Sequence, residues 1–271
     1  MRPISIPAYI SQFWNADKQS EALFTQTREA YGRLLKHESE PEVSVVIPAY
    51  NEEDNIVQTL ASLCNNITSR SVEIIVVNNN SSDRTEELAK GCGVTCILQT
   101  IKGIAPTRNM GLANARGKYI LNADADTIYP QHWIEEMVKP LAEDKGVAMT
   151  YGSFSFIPIG ETGRLTYFFY EHFADWARHL NKYLKDESVN VYGFTSGCRK
   201  DEALSVDSFN YPPGAGEDGY LAYKLRTQGY GRLHYVNNNK ALAWTTDRRI
   251  QIDGGLWKGT LKRLKRVILR N

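Results

Sequence analysis

The segment KYILNADADTIYP, residues 118–130, runs from an apolar stretch straight into two carboxylates, Asp124 and Asp126. An ionised carboxylate at the end of a core strand needs a cation or hydrogen bonds, because desolvating it alone is costly. Residues two apart in an extended backbone leave on the same side, so the pair offers two hard oxygen donors. Such donors suit Mg²⁺ or Mn²⁺ with positions left open for phosphate oxygens; the plainer alternative is a solvated loop or a helix cap. A second acidic pair, Glu217 and Asp218 in GEDGYLAYKL, stands at a helix start, where the dipole favours ionised carboxylates. A free carboxylate there accepts a proton from an attacking hydroxyl, or is a helix-terminal charge with no further role. NNNSSD (78–83) suits a base or ribose edge, or else a turn and helix cap at Ser82 or Asp83. KGIAPTRN (102–109) brings Lys102 and Arg108 to a helix start suited to phosphate; a surface lysine and a salt-bridged arginine are the alternative.

The elements that must position these groups follow from apolar periodicity. VSVVIP (43–48), VEIIVVN (72–78), VTCIL (94–98) and KYILNA (118–123) are short β-branched or apolar runs, the pattern of strands buried on both faces. Between them lie the helical segments IVQTLASLC, an Asp83–Glu86 capping box with a helix ended by Gly91, and APTRNMGLANA (105–115). PQHWIEEMVKPL (130–141) predicts another helix, with Pro130 in its first turn. Strand–helix alternation implies a mostly parallel α/β sheet flanked by helices, which binds ligands beyond the carboxyl ends of its strands. PAYNEE, NNNSSD and DAD all fall there. Short strands are expected near 147–157 and 190–198. A long helix over about 163–185 carries Tyr167, Phe168, Phe169, Tyr170, Phe173 and Trp176, read as core, with an acceptor wall as the alternative.

Composition excludes less. The 271 residues are 42% hydrophobic and 23% charged with net charge +1, so nothing global points to nucleic acid. Cys64, Cys92, Cys96 and Cys198 lack paired metal spacing and are expected to be reduced thiols of a cytoplasmic protein. The amino terminus lacks the pattern of a signal peptide, and no window is apolar for the length of a membrane span. The tail is basic: Trp257, Leu261, Leu264 and Ile268 are spaced by four, three and four, amid six cations. It reads either as an interfacial helix at the inner face of a membrane or as a terminal helix packed on the domain.

The ordered set VSVVIPAYNEE, VEIIVVNNNSSD, TRNMGLANARGKYILNADAD and GEDGYLAYKLRTQG resembles the family 2 glycosyltransferases, inverting enzymes of GT-A-type fold that use nucleotide sugars. The resemblance covers about residues 43–245. It implies a Rossmann-like nucleotide-binding donor half at about 41–150 and an acceptor half at about 151–250. Outside these lie a helical extension (1–40), packed on the exterior, and the amphipathic tail (251–271). Carried over by motif, Pro48, Tyr50, Glu52 and Asn78 meet base and ribose, and Arg108 and Asn109 lie near the nucleotide. Asp124 meets ribose or metal, Asp126 meets Mn²⁺ or Mg²⁺, and Asp218 is the catalytic base with Glu217 in support. Asn78 stands where relatives have aspartate, which leaves the base open. Thr245 stands where a metal-binding histidine is usual, leaving the third ligand to the diphosphate, water or a group such as Asp247. His234 is read as packing. The implied reaction is transfer of a sugar, a hexose by class, from a nucleoside-diphosphate sugar to a saccharide or lipid-linked hydroxyl in polysaccharide, glycolipid or cell-envelope synthesis. Competing readings are a non-catalytic nucleotide-sugar-binding protein, a retaining transferase and a nucleotidyltransferase on a similar sheet.

Overall fold

The run VSVVIPA forms the strand around which the other elements are arranged. The computed structural model describes residues 2–36 and 40–256. Its order is α1 Ala8–Trp14, α2 Glu21–Leu35, β1 Val43–Ala49, α3 Ile56–Cys64, β2 Val72–Asn78, α4 Thr85–Gly91, β3 Thr95–Leu98, α5 Ile104–Asn114, β4 Tyr119–Asn122 and β5 Thr127–Ile128. There follow α6 Trp133–Glu143, β6 Val147–Gly152, β7 Phe154–Ile157, α7 Arg164–Leu184, β8 Ser196–Arg199, α8 Lys200–Ser205, α9 Glu217–Thr227, β9 Arg232–Val236, β10 Ala243–Thr246 and α10 Arg248–Ile252.

Strands from both halves of the chain pair in one seven-stranded sheet, ordered β3-β2-β1-β4-β8-β6-β9. All its pairings are parallel except those of β8, which runs antiparallel to β4 and β6. The expected α/β sheet is therefore present, with one reversed strand. A second sheet, β5-β10-β7, is made of pieces too short to leave a periodic signal. Strand order reverses at β1, which lies between β2 and β4. The loops after β1 and β4 thus face each other across the crevice where open α/β sheets bind ligands.

Alternation along β1 builds two apolar layers. Val43, Val45 and Ile47 pack with Leu60 and Leu63 of α3 and Val138 of α6; Val46 faces the other way, with Leu112 of α5 and Leu221 of α9. Helix α5 lies so close to β1 that a Cβ on Gly111 would overlap the Val46 side chain. The amino-terminal extension is more than an outer layer. Tyr31 of α2 accepts the Ile74 N–H at 3.2 Å, and Ile10 and Phe13 of α1 join Ile128, Ile157 and Trp244 in a third apolar cluster.

Several local expectations are corrected. Helix α6 starts at Trp133, with Pro130 in the preceding turn, where its carbonyl accepts the Trp133 N–H. Residues 187–190 and 193–195 are 3₁₀ turns, and only 196–199 form a strand. The Asp83–Glu86 capping box does not form. Asp83 accepts from Thr85 and from the Glu53 N–H, while Glu86 accepts from Asn78 and Lys90. The aromatic stripe of α7 is not core either. Of its residues only Tyr167 and Glu171 are buried, and Phe169, Phe173 and Trp176 are exposed. Tail residues 257–271, with Trp257, Leu261, Leu264 and Ile268, lie outside the described residues.

Trp133, fully buried, donates to the Thr195 hydroxyl at 3.2 Å and tilts against Tyr129 at 4.4 Å between ring centroids, which supports the loop after β4 from behind. Trp133→Ala should lower the unfolding free energy by about 3–5 kcal/mol, measured from the urea midpoint at unchanged slope.

Candidate active site

A cleft of about 1060 Å³ opens where β1 and β4 end. One wall is the loop Pro48–Glu52 with Asn79 and Lys102; the DAD turn forms its floor; β7, α7 and the 192–194 turn make the far side. The DAD residues do not continue the strand. β4 stops at Asn122 and a turn begins at Ala125, so strand alternation is not what directs the two carboxylates. Both line the cleft because the loop is pinned. The Asp124 N–H donates to the Tyr129 hydroxyl at 2.9 Å, and the Ala125 carbonyl accepts from Thr59 at 2.8 Å. Tyr129 in turn donates to the Phe194 carbonyl at 2.8 Å, which ties this loop to the far wall.

Each aspartate meets its own arginine. Arg108, on α5 and 2% exposed, donates to Asp124 at 3.2 Å, and its Nε lies 3.2 Å from Asp218 and 3.8 Å from Glu217. Arg248, the first residue of α10, spans Asp126 at 2.9 Å and Glu52 at 2.6 and 3.2 Å. These contacts set five carboxylates against two guanidiniums, and the imbalance is visible in their acidities. Burial, followed by the charges of Asp124 and Glu52, pushes Asp126 up to about 6 against the opposing pull of Arg248. Burial likewise raises Asp218 to about 7; Arg108 opposes the rise, while Glu217 and Asp124 add to it. Asp124 is raised too, by desolvation first. Burial disfavours the Arg108 cation, but Asp218, Asp124 and Glu217 outweigh it and hold the guanidinium firmly charged.

Asp218 is not the free carboxylate that its place after a Gly/Pro loop implies. It stands behind the far wall against Gly193, between the cleft-lining Tyr192 and Phe194, and a Cβ at 193 would overlap both Asp218 Oδ2 and Arg108 Nη2. Its Oδ1, and Nε and Nη1 of Arg108, are buried without a hydrogen-bond partner. Their attraction is electrostatic and off-line, and it leaves a lone pair of Asp218 unused. Buried polar atoms in that state cost about 1–3 kcal/mol each and concentrate where chemistry is done.

The other candidates divide. Pro48, Tyr50, Glu52 and Lys102 line the cleft; Tyr50 is 52% exposed, and Lys102 has no ion pair among the described residues. Asn78 does not reach it. Its amide accepts from the Ser81 N–H and donates to Glu86, closing the loop from below, and the neighbour Asn79 lines the wall. Asn109 anchors the 207–210 turn through the Phe209 N–H at 2.9 Å and Asn210 at 2.9 Å. Thr245 lines the cleft, but Asp247 is fully buried and spent on Tyr167, Gln251 and the Ile159 N–H, so it does not complete a ligand set. His234 is half-buried on β9, apart from the cleft lining. Arg248 escaped the sequence reading. Its only signal was a basic pair directly after the short strand in ALAWTTDRR.

Residues 44–203 match the model of glycosyl transferase family 2. Among curated relatives, glycosyltransferase AglE of Haloferax volcanii is 31% identical over 198 residues, covering 70% of this chain and 63% of that one. Glycosyltransferase GlyA of Streptococcus pneumoniae is 26% identical over 196 residues, 68% of this chain but 28% of the relative. The chain thus spans less than two thirds of the length of these relatives. Among solved structures, glucosyl-3-phosphoglycerate synthase of Mycobacterium tuberculosis, bound to Mn²⁺, UDP and phosphoglyceric acid, superposes with a TM-score of 0.55. The match covers 83% of this chain and 77% of that one at 22% identity. Mannosyltransferase PcManGT of Pyrobaculum calidifontis, with GDP-Man and Mn²⁺, gives 0.56 over 88% and 67% at 18% identity. At these identities the likeness is one of fold, the GT-A fold.

Gly193→Ala should displace the Asp218–Arg108 contact while leaving the open side of the cleft intact. The expected result is an unfolding free energy lowered by about 1–3 kcal/mol, measured from the urea midpoint; an alanine variant as stable as the parent would contradict this geometry.

Proposed function

The chain belongs to glycosyl transferase family 2, and from that premise we propose that it moves a sugar from a nucleoside-diphosphate sugar to an acceptor hydroxyl in a single, inverting displacement. The observation that carries the proposal is the Asp124–Arg108–Asp218 bridge, which joins the cleft-lining Asp124 to a buried carboxylate behind the far wall, pushed up to about 7 chiefly by its burial. A base with that affinity is matched to proton abstraction near neutral pH.

In this reading Tyr50 and Pro48 face the base and ribose. Lys102 and Arg249, exposed on the cleft and without ion pairs among the described residues, meet the diphosphate. Asp218, whose carboxylate packs against Gly193 behind the wall, takes the acceptor proton, with Glu217 keeping its affinity for that proton high. No protein nucleophile is needed, and inversion follows. The residues present fit a divalent cation. Asp124 and Asp126 are hard oxygen donors within a cluster carrying surplus negative charge, and no third carboxylate converges on them among the described residues. Asp124 and Asp126 would hold Mn²⁺ or Mg²⁺, leaving its other positions to diphosphate oxygens and water. When bound, such an ion supplies Lewis-acid stabilisation of the departing nucleoside diphosphate. Arg248 shares Asp126, so a bound ion would compete with it for that carboxylate and would leave the guanidinium free to turn to a phosphate. The acceptor is a saccharide or lipid-linked alcohol of polysaccharide, glycolipid or envelope synthesis, with residues 256–271 as a further contact to a membrane surface.

Asp218→Asn should reduce kcat by about a hundred- to ten-thousandfold while sparing donor affinity, since the base acts in the chemical step. An active asparagine variant excludes Asp218 as base. The parent enzyme's kcat/KM should rise with pH and level off above about 7, because below that value the Asp218 carboxyl is protonated and accepts nothing. Chelation should abolish transfer and also the rise in melting temperature given by nucleoside diphosphate, and Mn²⁺ should restore both. Product NMR should show an inverted anomeric centre. A retained centre, or release of pyrophosphate, would favour the other enzyme classes.

A further inference from the structure

Helix α7 is amphipathic in the unexpected sense. Its inward residues include Tyr170, Ala174 and Arg178, which line the cleft, and both of its acids are consumed by arginines. Glu171, 2% exposed, is gripped by Arg164 at 2.9 Å through both oxygens, and Asp175 is held by Arg2 at 2.6 Å and by Arg178. Its outward residues are apolar: Leu165 is 57% exposed, Phe169 64%, Phe173 63% and Trp176 58%. The spacing of four, four and three puts them in one stripe on a single helical face. Tyr183 and Leu184 end the helix largely in solvent, beside the exposed His179, Lys182 and Lys185. Lys182 has Glu187 at 3.3 Å, and the exposed Glu161 lies three residues before the helix. Of the two acids of α7, Glu171 is buried and Asp175, a third exposed, is paired with Arg2 and Arg178.

Single exposed apolar residues are ordinary; a contiguous aromatic stripe along a 21-residue helix is not. We propose that the outer face of α7 docks on an anionic lipid surface, with the aromatic and leucine side chains in the headgroup–acyl boundary and the lysines against the headgroups. Charge selects this occupant. The stripe itself carries no carboxylate, and the cations that favour an anionic occupant come from Lys185 and from the sequence beyond Leu256. The chain also leaves the described residues at Leu256, packed near Tyr167 and Tyr170 of α7, and enters a sequence with six further cations and no acid. An aromatic face combined with neighbouring basic residues is the composition of helices that lie in the membrane interface. The arrangement has a geometric consequence. Because the opposite face of α7 is a wall of the cleft, docking would place the helix between the lipid surface and the cleft. This inference does not depend on the proposed reaction.

The test uses the full chain, so that its basic tail is always present, and compares it with Phe169→Ser/Phe173→Ser/Trp176→Ser. These side chains are solvent-exposed, and unchanged circular dichroism and melting temperature establish folding. In vesicle sedimentation, the parent should partition onto phosphatidylglycerol-containing vesicles and far less onto phosphatidylcholine alone. The triple variant should lose roughly tenfold or more of that partitioning. Equal partitioning of the two proteins overturns the proposal in favour of the tail alone. Absence of binding by the parent also overturns it, as does a parent dimer that the variant dissolves in size-exclusion chromatography, which would assign the face to a second copy.

Discussion

The structure depends on one buried guanidinium. Arg108 projects from α5 beneath the β4 loop and is met by carboxylates from positions 124, 217 and 218, with the Phe209 ring 5.9 Å from its charge centre. These groups come from distant parts of the chain and from both halves of the sheet, so the contact forms only once the halves have closed on each other. Its energetic meaning lies less in the net value of the ion pairs than in their interdependence. Without the cation, three acidic groups would share a poorly solvated space, and a buried charge left alone is far worse than a pair. Asn109, the next residue, fixes the turn before α9 through hydrogen bonds at both ends of its amide. One turn of α5 therefore positions the acidic helix start both electrostatically and sterically.

Arg248 repeats this logic on the other side of the DAD turn, but with a difference in exposure. Arg108 is sealed within the protein, whereas 43% of the Arg248 side chain is open to the cleft. A sealed cation fixes geometry; an open one can exchange partners. The turn between them carries Asp124 toward the fixed cation and Asp126 toward the movable one, and its backbone is clamped by Tyr129 and Thr59. A negatively charged ligand entering this cleft meets carboxylates already matched in part by cations, with Lys102 and Arg249 uncommitted. Such a site tolerates a change in the charge of its ligand because the compensation is spread over groups with different freedom to move.

Much of this was legible in the residues, for identifiable reasons. Strands buried on both faces leave unbroken apolar runs, and β1, β2 and β4 fall within a residue or so of their expected bounds. Carboxylates at the end of such a run are conspicuous because water and core compete for them, so Asp124 and Asp126 stand out, whereas Glu217 and Asp218 are marked by their place at a helix start after a Gly/Pro loop. What could not be read was direction. Asn78 and Asn79 are chemically identical, and only the twist of the loop decides that the first supports it while the second lines the wall. Arg248 meets Asp126 across 122 positions, a partnership without local signature. Strand β5 has two residues, too few for any period, so the second sheet was invisible.

Helix α7 marks the limit of pattern reading most sharply. Its sequence carries aromatics around much of its circumference, so more than one face offers itself for burial. The usual rule, apolar in and charged out, selects Phe169, Phe173 and Trp176 for the core. The structure does the reverse, because Glu171 and Asp175 have committed partners: Arg164 from the helix's own first turn, and Arg2 and Arg178. A buried acid paired in this way is expensive to expose singly, and a helix rotation that buried Phe173 would strip Glu171 of the Ser155 hydroxyl and the Phe156 N–H, and Asp175 of Arg2. Rotation is thus opposed by a hydrogen-bonded ionic cluster, and the aromatic face is held outward by the chemistry of the opposite face. The same cluster fixes Tyr170 and Arg178 against the cleft, so whatever covers the outer stripe bears on a rigid element of the cleft wall.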